Sequence, residues 1–132
     1  MLKKKVLKKE HRLGTHYLMG LIFKRDQVDF LLNWRKWGNI LKEAATLSGA
    51  TVIKGKRALH IFDDGGFSLI IVLAESHISI HTWPNKNKRR RPRALIDIFT
   101  CGGHCKPQVG AKYIKKVTKP FKVVHEKKLH RG

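Results

Sequence analysis

The sequence predicts an α+β fold: a two-layer sandwich with a mainly antiparallel sheet and helices packed on one face. Three observations predict it. Phe30, Trp34, Trp37, Leu41 and Ala45 recur at three- and four-residue steps, the apolar stripe of an amphipathic helix. The run Phe67–Ala74 is near-continuously apolar and of strand length, and His77–Trp83 alternates polar with apolar residues. The order along the chain is strand, helix, several strands, helix and strand, which suits a sheet covered by helices. At 132 residues, the chain has room for one core, so residues 1–132 are read as a single domain. No internal repeat and no Gly/Ser linker divides it.

In chain order, Tyr17–Phe23 is the first strand, and Asp26 and Asp29 offer helix N-caps. The striped helix follows and stops at Gly49, a residue that tolerates the left-handed conformation of a helix end. Thr51–Phe62 reads as extended, with a turn at Gly65-Gly66. The apolar run Phe67–Ala74 predicts a strand buried on both faces. In the next strand His77, Ser79 and His81 share one face, with Ile78 and Ile80 on the other. Arg93–Thr100 is a further strand. Pro107–Val117 is a second helix with Val109, Tyr113, Ile114 and Val117 inward, and Phe121–Val124 closes the sheet.

Charge is the outstanding feature of the composition. There are 29 Lys and Arg against 9 Asp and Glu, a formal net charge of +20. Such a balance favours polyanions, so nucleic-acid binding is proposed before any motif is read. The charge gathers in Lys3–Arg12, in the segment KNKRRRPR (Lys86–Arg93), and from Lys106 to Arg131. The run Lys86–Arg93 contains no aromatic residue, which counts against a base-stacking surface and leaves non-specific adhesion. Its six positive charges and Pro92 predict a solvent-facing excursion between two strands. Two cysteines, Cys101 and Cys105, are too few for a disulfide framework and suit a reducing compartment. No apolar segment follows the basic start, and the run Leu69–Ala74 is too short to span a bilayer. A cytoplasmic protein without membrane contact is expected.

Ser68, Glu75, Ser76, His77, Ser79, His81, Thr82, Cys101 and His104 lie close in sequence among otherwise apolar residues. Burying such groups without partners costs about 1–3 kcal/mol each, so their number marks a site. Zinc is one reading, since His77-x3-His81 and Cys101-x3-Cys105 supply ligands of the right kinds. On one strand, however, His77 and His81 stand about 13 Å apart, too far to share an ion, and no metal is expected. Nucleophilic hydrolysis is a second reading, but no Gly-x-Ser-x-Gly elbow is present.

The literal strings decide more. LAESHISIHTWP (Leu73–Pro84) followed by DIFTCG (Asp97–Gly102) strongly resembles the prokaryotic S-adenosylmethionine decarboxylase family, whose members are pyruvoyl enzymes. The likeness runs from about His16 to the closing strand and includes SGAT (Ser48–Thr51) and KVVHE (Lys122–Glu126). It implies a proenzyme that cuts itself between Glu75 and Ser76, giving a β chain of residues 1–75 and an α chain of residues 76–132. In that scheme the Ser76 hydroxyl attacks the preceding carbonyl, and elimination and hydrolysis leave a pyruvoyl group in its place. His81 matches the histidine that removes the α-proton during elimination, and Ser68 matches a serine that supports processing. The pyruvoyl ketone would hold substrate as a Schiff base and serve as electron sink, so no pyridoxal phosphate is expected. Cys101 matches the cysteine that returns a proton to the α-carbon, work suited to a thiol of ordinary pKa near 8.5. Phe62 matches an aromatic that stacks on adenine. The implied reaction is decarboxylation of S-adenosylmethionine to the aminopropyl donor of spermidine synthesis, in a homodimer of two-chain protomers with active sites near the interface.

Three departures bear on substrate. Asn85 stands where the family has a Glu that binds the ribose hydroxyls, and an amide lacks a carboxylate's charge-assisted strength. The stretch from Pro84 to Asp97 is longer than the family's and strongly basic, which would oppose a sulfonium cation if it faced the pocket. Asp63 and Asp64 follow Phe62, where they read first as turn formers. A pyruvoyl-dependent arginine or ornithine decarboxylase of the same fold is therefore an alternative. A non-catalytic, basic nucleic-acid-binding homologue is another.

Overall fold

The alternation of side chains along neighbouring strands decides which side of the sheet is covered. The computed structural model describes residues 13–87 and 89–132, so the basic block Lys3–Arg12 and Lys88 lie outside the described residues. Strand β1 (Gly14–Ile22) is followed by a 3-10 turn (Arg25–Gln27), a short helix α1 (Val28–Leu31) and the main helix α2 (Trp34–Leu47). Then come β2 (Val52–Ile61), β3 (Phe67–Leu73), β4 (Ser76–Trp83), β5 (Arg93–Cys101), helix α3 (Pro107–Thr118) and β6 (Lys122–Arg131). They form one six-stranded sheet in the order β2-β3-β4-β5-β1-β6, antiparallel at every pairing. The α+β sandwich is the predicted one.

Phe67, Leu69 and Ile71 of β3, Ile78 and Ile80 of β4, and Ile96 and Ile98 of β5 are buried beneath the helices. Trp37, Leu41, Ala44 and Ala45 of α2 and Ala111 and Ile114 of α3 meet them from the other layer. Each large side chain removed from water contributes about 1.5–3 kcal/mol before chain entropy is counted.

The two helices approach closely because Gly110 faces Ala44 and Ser48. A Cβ at Gly110 would lie 2.4 Å from Ser48 Oγ and 2.5 Å from the Ala44 carbonyl oxygen. The Gly110 N–H also donates to Ser48 Oγ at 3.0 Å, and that hydroxyl donates to the Ala44 carbonyl at 2.8 Å. This contact corrects the predicted inner face of α3. Gly110, Ala111, Ile114 and Thr118 are buried, whereas Val109 and Val117 are exposed.

Three further expectations change. Asp26 and Asp29 do not cap the long helix. The chain bends at Leu32-Asn33, and Asn33 is the cap, its side-chain oxygen accepting the Lys36 N–H at 3.1 Å. Strand β3 is buried on one face only: Ile70 and Val72 are 38% and 39% exposed because no helix covers the opposite side. Finally, β6 runs well past Val124, since its Lys- and His-rich half pairs with β1 as far as Arg131 ↔ Gly14. An edge strand accommodates such charges in solvent.

The basic excursion between β4 and β5 faces water as expected, with Lys86, Arg89, Arg90 and Arg91 exposed. One side chain organises it: the Arg25 guanidinium donates to the carbonyls of Asn85, Asn87 and Arg90 at 3.0, 2.6 and 2.7 Å.

Candidate active site

The uncovered sheet face carries part of the predicted site, whereas Thr82 is buried on the helix side. His77, Ser79 and His81 project from the uncovered face on β4, Asp97 pairs opposite Ser79 from β5, and Ser68 pairs opposite His81 from β3. Two groups form, one at each end of β4.

At the first end stand Glu75, Ser76 and Cys101. Ser76 opens β4 with φ of +143°, a backbone conformation that L-residues adopt at a cost of order 1–3 kcal/mol. The Glu75 carbonyl, half of the peptide bond to Ser76, accepts the Cys101 N–H at 2.6 Å. The Glu75 carboxylate accepts from the backbone N–H and hydroxyl of Thr51 at 2.7 and 3.2 Å. The Thr51 backbone N–H is the main reason this carboxyl lies below its usual range. Cys101 is exposed and free, so its thiol is accessible.

At the second end, Ser68 Oγ lies 2.7 Å from His81 Nδ1. Phe62, half exposed, stacks edge-on against His60 with ring centroids 4.7 Å apart. Phe62, Asp64, Ser68, His81, Thr82 and Trp83 line a pocket of about 380 Å³. Asp64 acts as a turn former, as expected: its Oδ1 accepts the Gly66 N–H at 2.9 Å. A larger open groove of about 570 Å³ runs along the same face past His81, Leu95, Asp97 and Leu18.

The two groups are far apart. Five residue steps of extended strand separate Ser76 from His81, about 16 Å at 3.3 Å per residue. The structure thus unites Ser76 with Cys101, and Ser68 with His81 and Phe62, but not the first set with the second. Asn85 joins neither. It sits in the loop at φ +46°, and its side-chain amide donates to the Arg91 carbonyl at 3.0 Å.

Sequence reasoning weighed His77 only as a zinc ligand and gave no role to Asp97 or His16. Asp97 Oδ2 lies 2.8 Å from His16 Nε2 and 3.2 Å from His77 Nε2, and Asp97 Oδ1 accepts from the Ser79 hydroxyl. Burial pushes the Asp97 carboxyl up, but hydrogen bonds from Ser79, His16 and His77 outweigh it and hold the group below its usual range. The strand alternation that placed His77 beside Ser79 and His81 was the available signal. The carboxylate that joins His77, Ser79 and His16 comes from a strand whose register the sequence does not state.

For metals, His77 and His81 are engaged by different partners, Asp97 and Ser68. Among the described residues, Glu75, His104 and Cys105 bring an oxygen, a nitrogen and a sulfur within 4.8 Å of one another. Thr51 already bonds both Glu75 oxygens, and burial raises the Cys105 thiol above its ordinary pKa.

The family profile described as S-adenosylmethionine decarboxylase matches residues 23–132. The chain belongs to the S-adenosylmethionine decarboxylase family. It is 39% identical over 104 residues to an S-adenosylmethionine decarboxylase proenzyme of Thermodesulfovibrio yellowstonii, covering 79% of this chain and 70% of that one. Against the proenzyme of Persephonella marina it is 37% identical over 124 residues, covering 93% and 85%. The crystal structure of the adenosylmethionine decarboxylase from Aquifex aeolicus superposes with a TM-score of 0.73 at 29% identity, covering 92% of both chains. Likeness to the decarboxylase family therefore extends over the whole sheet and both principal helices, not the signature strings alone.

Proposed function

We propose that this chain is a proenzyme that cuts itself between Glu75 and Ser76 and then decarboxylates S-adenosylmethionine. The observation that carries the reading is the geometry of that one peptide bond. Its nitrogen belongs to a serine held at φ +143°, and its carbonyl oxygen already receives a backbone N–H from Cys101 at 2.6 Å. A hydroxyl beside a polarised carbonyl in a strained turn is the arrangement an N-to-O acyl shift needs. The products are residues 1–75 and 76–132. Ser76 also fits the pyruvoyl group, because pairing with Leu73 and Thr100 anchors the new chain end inside the sheet. Once formed, that group supplies an electron sink for the carbanion left by CO2 loss.

The chain's other residues supply the rest. The exposed Cys101 thiol, next to the residue paired with Ser76, holds the proton that is returned to carbon. Phe62 offers a half-exposed ring for a purine. Ser68 and His81 do not reach Ser76 of their own chain, so they act in a homodimer. The open face exposes Ile70, Val72, Trp83, Leu95 and Leu129, an apolar surface that a second copy covers. Laid face to face about a two-fold axis, each copy brings its Ser68 and His81 toward the other's Ser76. The protein works in the cytoplasm; among the described residues no helix is long and apolar enough to cross a membrane. Decarboxylated S-adenosylmethionine, an aminopropyl donor for spermidine synthesis, is its product. The basic surface contributes weak, salt-sensitive adhesion to nucleic acid.

One observation favours testing a second substrate class. The Asn85 amide is occupied within its loop, leaving the ribose hydroxyls without that partner. CO2 release from S-adenosylmethionine, arginine and ornithine, each measured with the same processed protein, decides between them. Release from S-adenosylmethionine is expected. Release from arginine or ornithine alone overturns the substrate assignment.

A further inference from the structure

His77, not His81, stands at the hydroxyl that starts the break, and this inference rests on Ser76 being the nucleophile proposed above. His77 Nδ1 lies 3.3 Å from Ser76 Oγ, and the other ring nitrogen, Nε2, lies 3.2 Å from Asp97 Oδ2. His81 is occupied five residues away by Ser68. The two contacts of His77 fix its tautomer. Asp97 accepts from Nε2–H, so Nδ1 carries the lone pair and faces the serine hydroxyl.

Asp97 is well prepared for that task. Three side chains converge on it, Ser79, His16 and His77, and together they keep it ionised despite partial burial. His16 reaches across from β1, and its ring packs on Phe99 at 5.3 Å, which fixes it. His77 is itself 6.2 Å from the Phe99 ring, over which the Arg131 guanidinium lies. On its other side, β3 offers the apolar Val72. Among the described residues, Asp97 bonds His77 directly, His16 shares that carboxylate, and Arg131 lies over the neighbouring Phe99 ring.

We propose that His77 is the general base of self-cleavage, with Asp97 and His16 as its positioning residues. His77 Nδ1 takes the Ser76 Oγ proton as Oγ bonds to the Glu75 carbonyl carbon. The Cys101 N–H, already on the carbonyl oxygen, receives the developing charge. The C–N bond then breaks, and the imidazolium returns its proton to the Ser76 nitrogen. The result is an ester isomeric with the starting chain, so no other reactant is consumed. His81, supplied by the second copy, acts afterwards in the elimination.

The test follows cleavage of the freshly synthesised full chain on denaturing gels, with and without hydroxylamine, which cuts an ester but not a peptide bond. His77→Ala is expected to slow cleavage by ~10²–10⁴-fold, the range of a general base. It should yield no fragments with hydroxylamine, and added imidazole should restore cleavage. His81→Ala is expected to behave oppositely, accumulating an ester that hydroxylamine releases. Asp97→Asn, close in shape to the native residue, should also slow the shift and move its pH dependence. Native-rate cleavage in either His77→Ala or Asp97→Asn overturns the proposal. So does a hydroxylamine-sensitive ester in His77→Ala, or failure of imidazole to rescue a His77→Ala protein with an unchanged melting temperature. If His77→Ala does not fold, Asp97→Asn alone decides. Cleavage in Ser76→Ala would instead sink the nucleophile itself, a result distinct from all of these.

Discussion

At the scale of single residues, Ser76 and Cys101 would carry the chemistry, held side by side by the β4–β5 pairing. Ser76→Ala removes the hydroxyl proposed to attack the Glu75 carbonyl, so the variant should stay one chain while keeping its fold, as read by an unchanged far-UV spectrum. Cys101→Ala should separate maturation from turnover. Its backbone N–H still reaches Glu75, so cleavage should proceed, but turnover should fall by ~10²–10⁴-fold for loss of the acid. Wild-type turnover in the processed variant would remove Cys101 from the chemistry. Most of this set was legible in the sequence, because Glu75, Ser76, His81 and Cys101 lie in strings with a strong family likeness. His77, Asp97 and His16 were not, since their connection depends on three strands meeting in register. The separation of Ser76 from His81 was legible in principle from strand rise alone.

At the scale of elements, periodicity located every strand and the two long helices but misjudged the inner face of α3 and the burial of β3. The inner face of α3 is set by Gly110, which lets two helix backbones approach, and hydropathy does not see a missing side chain. Gly110→Ala should therefore destabilise the fold by about 1–3 kcal/mol through overpacking, measurable as a melting point lower by several degrees. Likewise, the apolar run of β3 reads as doubly buried, although one face is open in the single chain. That face is where a second copy would restore the burial the sequence anticipates. The basic loop presents the opposite case, since charge and Pro92 place it in solvent without any structural help. Replacing residues 85–91 by a short Gly/Asn turn should leave self-cleavage intact and weaken adhesion to polyanions. The Michaelis constant for S-adenosylmethionine should hardly move, because exposed charges are screened beyond about 8–10 Å. A clearly lower constant would place the loop at the pocket.

At the scale of the whole molecule, an excess of positive charge is tied down by few acids. Glu126 accepts from Lys115 at 2.5 Å and Tyr17 at 2.6 Å, joining α3, β6 and β1, and Lys115 first of all holds its carboxyl below the usual range. Asp97 is depressed as well. For carboxylates lowered on folding, the stabilisation is complete above their unfolded pKa, about 4, and is lost as pH falls through the lower folded value. Protonation also adds to a net charge of +20, so self-repulsion works in the same direction. The melting temperature should be flat from pH 7 to 5 and fall steeply below about pH 4. Glu126→Gln should shallow that fall, and an unchanged acid limb would remove Glu126 from it. Above the single chain, sedimentation of the processed protein should give a dimer, whereas Leu95→Lys on the open face should give monomers that mature slowly. Whether the chain converts its own Ser76 is read from the intact mass of the purified protein. Two fragments are expected, one ending in Glu75 as a free acid and one lighter than the Ser76–Gly132 peptide by one ammonia. A single uncut chain, or a break at any other bond, would contradict that conversion.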